Sequence, residues 1–437
     1  MFGTSGIRGE VGDVVTCDLA LAVGRALASE GYEKVVVGRD PRESGEMLSD
    51  AVSAGLRECG ADVVRLGQAA TPTVARSVGW QDADAGVSVT ASHNPAKDNG
   101  LKLWNPSGQA FDTAQRETIA ERVREEDADL RPWDGLGGQR RWEEADEYHA
   151  TALDEAVDIE DDLTVVVDVG NGAGGVTAEA LQRQGCTVTT LNAQPDGSFP
   201  ARPSEPTEEA CTRLWQTVAA TDADLGIAHD GDADRMQAVT ADGEFVSGDV
   251  LLALFARETA SEGDLAAAPL NVSLAVDDAL AEVGASLTRT KVGDVFVAER
   301  AAEPNVTFGG EESGAWIWPE EILCPDGPLA ACKLAELVTE RGPLADLVGE
   351  IPTYPIERTN VRTDEKEAAM ERIAAEVADH YEDVTTDDGV RVETDDGWFL
   401  VRASGTQPLI RVTAEGRTEL QAEELFEAAS EIVEKAT

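Results

Sequence analysis

The chain has 437 residues, 42% of them hydrophobic, and its 85 acidic against 35 basic residues give a net charge of −50. That charge excludes nucleic acid and anionic membranes as main partners, and no apolar run approaches the ~20 residues of a membrane helix. Six scattered cysteines without a C-x-x-C pair exclude a zinc knuckle, a thioredoxin motif and a disulfide framework.

The length predicts roughly three or four domains. With only seven lysines, so acidic a surface repels itself at low ionic strength and is screened in concentrated salt, which predicts a halophilic cytosol. The opening MFGTSGIRGE lacks the basic and apolar regions of a secretory signal, so a soluble cytoplasmic protein is expected.

In chain order, Leu19, Ala22, Val23, Ala26 and Leu27 have helical spacing, with Gly31 as a stop. The run Val35, Val36, Val37 then reads as a buried parallel strand. A strand, polar loop, helix order recurs: VVVGRD, GVSVTAS, VVVDVGNG, LGIAHDGD and VTFGGEES each end in glycine, carboxylate or hydroxyl residues. This alternation predicts α/β layers with mostly parallel sheets whose ligands gather at the carboxyl ends of strands. Residues 131–147 (RPWDGLGGQRRWEEADE) and 349–355 (GEIPTYP) read as linkers, with a weaker break near Gly248. From Glu357 onward the pattern changes to a helix around 365–378, the short strands VRVET, GWFLVRAS and LIRVTAEG, and a closing helix. That is an α+β module.

Five loops carry chemistry. In VTASHNPAKDNGLKLW (89–104) an apolar strand delivers Ser92 and His93, Pro95 ends regular structure, and a turn returns the chain at Lys102. In HDGDADR (229–235) alternate positions Asp230, Asp232 and Asp234 point the same way, so three carboxylates converge as a hard divalent cation requires. An EF-hand is excluded because Arg235 and Ala241 occupy the positions of its glycine and glutamate. Arg235 beside the triad suits a site shared with phosphate. In RASGTQP (402–408), Arg402 offers a fork, Ser404 and Thr406 offer hydroxyls, and Gly405 lets backbone N–H groups turn inward around phosphate. GGEESG (309–314) places Glu311 and Ser313 where sugar hydroxyls could be read, and KVGD (291–294) adds Lys291. Two other readings stay open here. Gly170, Gly172 and Gly175 fit a dinucleotide loop, although Asn192 stands where its acid belongs. Asp230-x-Asp232 after a strand also resembles a phosphatase with an aspartyl nucleophile.

Taken together, FGTSGIRG (2–9), TASHNP (90–95), DGDADR (230–235), GEESG (310–314) and RASGTQP (402–408) resemble, in order and over nearly the whole chain, the loops of the α-D-phosphohexomutase superfamily. The resemblance implies four domains around a central cleft: three related α/β domains with mixed, mostly parallel sheets (1–147, 148–248, 249–350) and a smaller C-terminal α+β domain (351–437). It implies an intramolecular phosphotransferase that moves a phosphoryl group between the 6- and 1-hydroxyls of a hexose phosphate through phosphoserine at Ser92 and a bisphosphorylated sugar. Mg²⁺ would lie on Ser92, Asp230, Asp232 and Asp234, with catalytic hexose 1,6-bisphosphate as activator. Lys102 would serve as general base and acid, its pKa falling toward neutrality. Arg8, Arg235 and His93 would neutralise charge at the reacting phosphate; Arg402, Ser404, Gly405 and Thr406 would hold the other phosphate; Lys291, Glu311 and Ser313 would contact substrate. FGTSGIRG and KVGD favour the phosphoglucosamine mutase branch, hence glucosamine-6-phosphate to glucosamine-1-phosphate. Phosphomannomutase or phosphoglucomutase specificity is the alternative, and an Asp230 phosphomonoesterase the alternative of a different class. Ala315, where many relatives have histidine or glycine, leaves the sugar open, and Gln407 replaces a common glutamate. A monomer or homodimer acting on small hexose phosphates is expected.

Overall fold

The computed structural model describes residues 3, 6–160, 162–363, 365–404 and 408–437. Three of its four sheets are built to one plan. Each starts with a strand (Lys34–Arg39, Thr164–Asp168 or Leu265–Pro269) whose central residues are buried, as parallel strands covered by helices must be. A helix leads to a second strand, Asp62–Gln68, Thr187–Leu191 or Ser286–Thr290, parallel on one side. Another helix leads to a third, Ala85–Val89, Leu225–His229 or Val306–Gly310, parallel on the other side. The fourth, Asp98–Trp104, Met236–Thr240 or Trp316–Ile317, turns straight back antiparallel to the third. This corrects the strand, loop, helix expectation for GVSVTAS, LGIAHDGD and VTFGGEES, whose loops connect adjacent strands rather than a strand and a helix.

The first sheet gains an edge strand at each side: Ile7–Glu10, antiparallel to Asp98–Trp104, and Gln139–Arg141, parallel to Asp62–Gln68. Residues 131–147 are therefore no mere linker. Arg131 and Gly137 donate backbone N–H groups to Glu58 and Arg57, and buried Trp142 packs edge-on against Trp80 and Tyr148. At Gly248 the chain is tightly held: it opens the buried helix Gly248–Thr259, and a Cβ there would lie 1.7 Å from the Glu312 carbonyl oxygen. The fourth sheet is wholly antiparallel, in the order Ile356–Arg362, Leu409–Gly416, Gly397–Ala403, Val390–Thr394, Val384–Thr385, and is packed by helices Lys366–His380 and Glu419–Ala436.

The cores divide differently from the sheets. One continuous apolar cluster runs from Ala150 to Ile351 and joins the second and third α/β domains through helices Gly248–Thr259 and Gly327–Arg341. The C-terminal domain has a separate core, centred on Val392, Phe399, Val401 and Val412. It meets the third domain through a small apolar contact of Trp398 and Leu400 with Leu270. The cysteines are all unpaired, five buried and Cys17 half-buried. No helix among the described residues is long and apolar enough to cross a membrane.

Candidate active site

In each α/β domain the loop between the third and fourth strands faces one cleft, and the end of the first strand grips that loop. In the first domain, fully buried Arg42 pairs with Asp40 at 2.9 Å. It donates to the carbonyls of Ser92 (2.8 Å), Asn94 (2.7 Å), Pro95 (2.6 Å) and Asp98 (2.8 Å). Phe199 of the second domain stacks on its guanidinium at 5.0 Å. Thr90 Oγ1 donates to Asp40 and accepts from the Ser92 N–H. Thus held, Ser92 adopts φ +51°, a left-handed conformation uncommon for serine. In the second domain Arg202 pairs with Asp168 at 2.7 Å and donates to the His229 carbonyl at 2.6 Å. In the third, Asn271 donates to Glu312 at 2.6 Å. The glycine-rich loop after Asp168 thus wraps an internal ion pair: a Cβ on Gly170 would strike the Arg202 guanidinium, and Asn192 donates to Asp168. These contacts give the glycines a packing role of their own.

Ser92 Oγ, nearly inaccessible to solvent, lies 2.6 Å from Asp230 Oδ2 and 3.3 Å from Asp234 Oδ1. Oxygens of Asp230, Asp232 and Asp234 all fall within 4.8 Å of one another. Burial, then the neighbouring carboxylates, pushes Asp230 well above its ordinary pKa and raises Asp234. Burial would raise Asp232 as well, but Lys102 and Thr71 hold it below the usual carboxylate range. Thr71 Oγ1 donates to Asp232 Oδ2 at 2.6 Å across the seam between the first two domains, and Asp232 Oδ1 is buried without a partner among the described residues. Converging oxygens and an orphaned acceptor suit a divalent cation.

Lys102 Nζ lies 3.2 Å from Asp232 Oδ2 and pairs with Asp234. Burial lowers its pKa, but Asp232 and Asp234 outweigh that and raise it overall, which corrects the expected fall toward neutrality. His93 is corrected too: burial, then Arg235, Arg8 and Lys102, drive it down to about 2, so it is neutral and adds no positive charge. Its Nδ1 lies 3.4 Å from Ser92 Oγ.

All four domains line a cavity of about 130 Å³ over Ser92 and Asp234. Arg8, Arg235 and Arg402 bring positive charge to it. Arg8 Nε is buried without a partner among the described residues, whereas Arg402 lies 3.0 Å from Asp388, which also accepts from the Val292 N–H. Glu311 lines the third-domain wall, accepts from the Gly293 N–H at 2.9 Å and from Ser313 Oγ at 3.2 Å, and is pushed up to about 8 by burial and by Asp294 and Glu312. Ser313 is one step back from the cavity, and Lys291 is exposed with its ammonium over Phe296. Ser404 is buried beside the cleft, its carbonyl accepting from Lys366. Gly405 and Thr406 lie outside the described residues. Sequence reasoning missed Arg42, Thr71 and Ser204; of these, Ser204 bridges the Ser92 carbonyl and the Gly231 N–H. Only Arg42, two residues after the carboxylate ending VVVGRD, carried a local signal.

Models of the phosphoglucomutase/phosphomannomutase family match the chain in series: α/β/α domain I at residues 1–130, II at 146–243, III at 247–354, and the C-terminal domain at 359–432. A protein of Methanothermobacter thermautotrophicus named "Probable phosphoglucosamine mutase" is 47% identical, over 98% of this chain and 96% of that one. One of the same name from Methanococcoides burtonii is 45% identical over 100% and 99%. The crystal structure of a phosphoglucomutase/phosphomannomutase family protein from Burkholderia thailandensis superposes with a TM-score of 0.88 at 27% identity, covering 99% of this chain and 98% of that one. The chain belongs to the phosphoglucomutase/phosphomannomutase family of the α-D-phosphohexomutase superfamily.

Proposed function

We propose that the protein is a Mg²⁺-dependent phosphoglucosamine mutase that interconverts glucosamine-6-phosphate and glucosamine-1-phosphate through phosphoserine at Ser92. The observation that carries this is Ser92 Oγ set against three carboxylates on the floor of a cleft walled by Arg8, Arg235 and Arg402. Phosphoryl transfer is chiefly positioning plus charge stabilisation, and those are what this arrangement offers. The name borne by the archaeal relatives supports the choice of amino sugar.

In the forward half-reaction the bond from Ser92 Oγ to phosphorus breaks and one from the sugar hydroxyl to phosphorus forms. To act as base Lys102 must first give up a proton, because Asp232 and Asp234 raise its proton affinity and keep it an ammonium while they are charged; a divalent cation held by those carboxylates would remove that pull. As a neutral amine Lys102 takes the hydroxyl proton and returns it to the sugar oxygen left when the other phosphate goes back to Ser92. Ser92, Asp230, Asp232 and Asp234 would hold Mg²⁺, which supplies charge neutralisation at the serine oxygen. Arg8 and Arg235 hold the reacting phosphate and Arg402 with the 404–406 loop the other, while Glu311 and Ser313 hold sugar hydroxyls. Hexose 1,6-bisphosphate would charge the serine.

The aspartyl-nucleophile reading is disfavoured because both Asp230 oxygens are engaged, one by Ser92 Oγ and one by the Arg235 N–H. Intact-mass mapping after turnover separates the two: acid-stable phosphate on Ser92 is expected, and a hydroxylamine-labile acyl phosphate on Asp230 would establish the phosphomonoesterase. A coupled assay at high KCl with glucosamine, glucose and mannose phosphates tests the sugar. A kcat/KM for glucosamine phosphate more than ~100-fold below either of the others, nearly 3 kcal/mol in transition-state binding, would exclude it.

A further inference from the structure

The segment Lys291–Asp294 turns sharply at Gly293, whose φ of +135° favours glycine. The turn sends the Gly293 N–H into Glu311 Oε1 and begins helix Asp294–Ala301 with its first residue against the cleft. Two acids, Asp294 and Glu311, thereby share the third-domain wall of a cleft whose substrate is itself an anion. Among the described lining residues the cations are Arg8 and Arg235 near Ser92 and Arg402 on the C-terminal domain, and a third acid, Asp234, pairs with Lys102. Ala315, on the same wall, contributes no charge. Of these cations Arg235 alone is among the groups that lower the Glu311 pKa, and burial together with Asp294 and Glu312 outweighs it. A neutral hexose phosphate can offer this wall only hydroxyls. A 2-ammonium group can offer charge-assisted hydrogen bonds to the half-buried Asp294 carboxylate, which are roughly twice as strong.

We propose that Asp294, beside Glu311, is a specificity determinant that selects a sugar phosphate carrying an ammonium group over its neutral hydroxyl counterpart. This rests on the phosphohexomutase reading of the cleft and goes beyond it in assigning the discrimination to one side chain.

The test compares Asp294→Asn and Asp294→Ser with the unaltered enzyme, each assayed with glucosamine-6-phosphate and glucose-6-phosphate at one pH and one KCl concentration. Asparagine and serine are both tolerated at a helix start, so two routes to a folded variant are available. The quantity read is the ratio of the two kcat/KM values, which a general loss of fold or activity would leave unchanged. The unaltered enzyme is expected to favour glucosamine-6-phosphate, and the ratio to fall roughly 10- to 100-fold in both variants, as for loss of a hydrogen bond to a charged group. An unchanged ratio in a variant that still turns over both sugars overturns the role of Asp294 and leaves the mutase reading standing. An unaltered enzyme without preference also overturns it, and one that isomerises neither sugar overturns both.

Discussion

The joint between the second and third α/β domains and the joint between the third and the C-terminal domain are built from different materials. The first is a shared apolar core, sealed to the first domain by a buried polar knot. Asp326 caps helix Gly327–Arg341 through the Leu329 N–H, accepts from Arg76 Nε at 2.8 Å and lies 3.1 Å from His149 Nε2, whose other nitrogen meets Thr73 at 2.8 Å. The second joint is mostly polar. Glu415 accepts from Ser273 Oγ at 2.5 Å, the Leu274 N–H at 2.7 Å and Trp398 Nε1 at 2.7 Å, so a carboxylate of the C-terminal domain sits on the N-terminus of helix Leu274–Glu282. Arg417 with Asp278, and Asp388 with Val292, extend the contact. The Ser92 loop rides on the first domain with its own core and the carboxylate loop on the fused body, while the loop proposed only to hold phosphate rides on the separately cored C-terminal domain. Of the two joints, the polar one buries less apolar surface and is the cheaper to break.

The largest expected effect comes from attacking the fused body. Asp326→Asn leaves Arg76 without its buried partner and should remove about 3–5 kcal/mol of stability, read as a shift of the main transition in urea while the C-terminal domain is unaffected. The same group sets an acid limit. Burial would raise the Asp326 carboxyl, but His149 and Arg76 hold it below the usual range. Its contribution is therefore present above the unfolded carboxylate pKa of 3.8 and lost as pH falls below that value toward the depressed folded pKa. A loss under 1 kcal/mol, or equal shifts in both transitions, would refute the contrast. Next, Glu415→Gln should weaken the polar joint by about 1–2 kcal/mol. Faster amide exchange at Leu274, a several-fold higher KM and an unmoved main melting transition are expected; a lowered main transition would mean that the two joints are not separable. The smallest effect is at the seam beneath the carboxylates. Thr71→Val removes one donor to Asp232 and should lower Mg²⁺ affinity about tenfold, measured by calorimetric titration, with unchanged affinity assigning Thr71 to packing alone.

Features carried by consecutive residues were legible from the sequence. The strand ends with their Ser92, Asp230–Asp234, Glu311 and Arg402 loops needed only local spacing, and the antiparallel C-terminal module announced itself by a change of rhythm. Properties set across the seams were not. Thr71 reaches Asp232 over 161 positions, and the carboxylates that keep Lys102 charged lie 130 and 132 positions away, so the direction of its pKa could not be read from neighbours. His93 lost its expected charge for a similar reason, since burial and three cations from elsewhere in the chain act on it. The antiparallel fourth strands were hidden because Pro95, Gly231 and Gly314 make their loops look like the loops that lead into helices, and Trp316–Ile317 is too short to show a period.

The shared core also dictates an order of events at birth. Helix Gly327–Arg341 supplies Leu329, Ala331, Leu334 and Val338 to an apolar cluster begun at Ala150 and Leu153. At about 5–20 residues per second, a completed second domain waits roughly 5–20 s on the ribosome for that helix to be made. The first domain, the main core of which is assembled by Ile119, has no such delay. During the wait an apolar face stands open, and the chain's own negative charge is what keeps neighbouring nascent chains apart. Concentrated salt, by screening that charge, would make this interval the period of greatest exposure to aggregation.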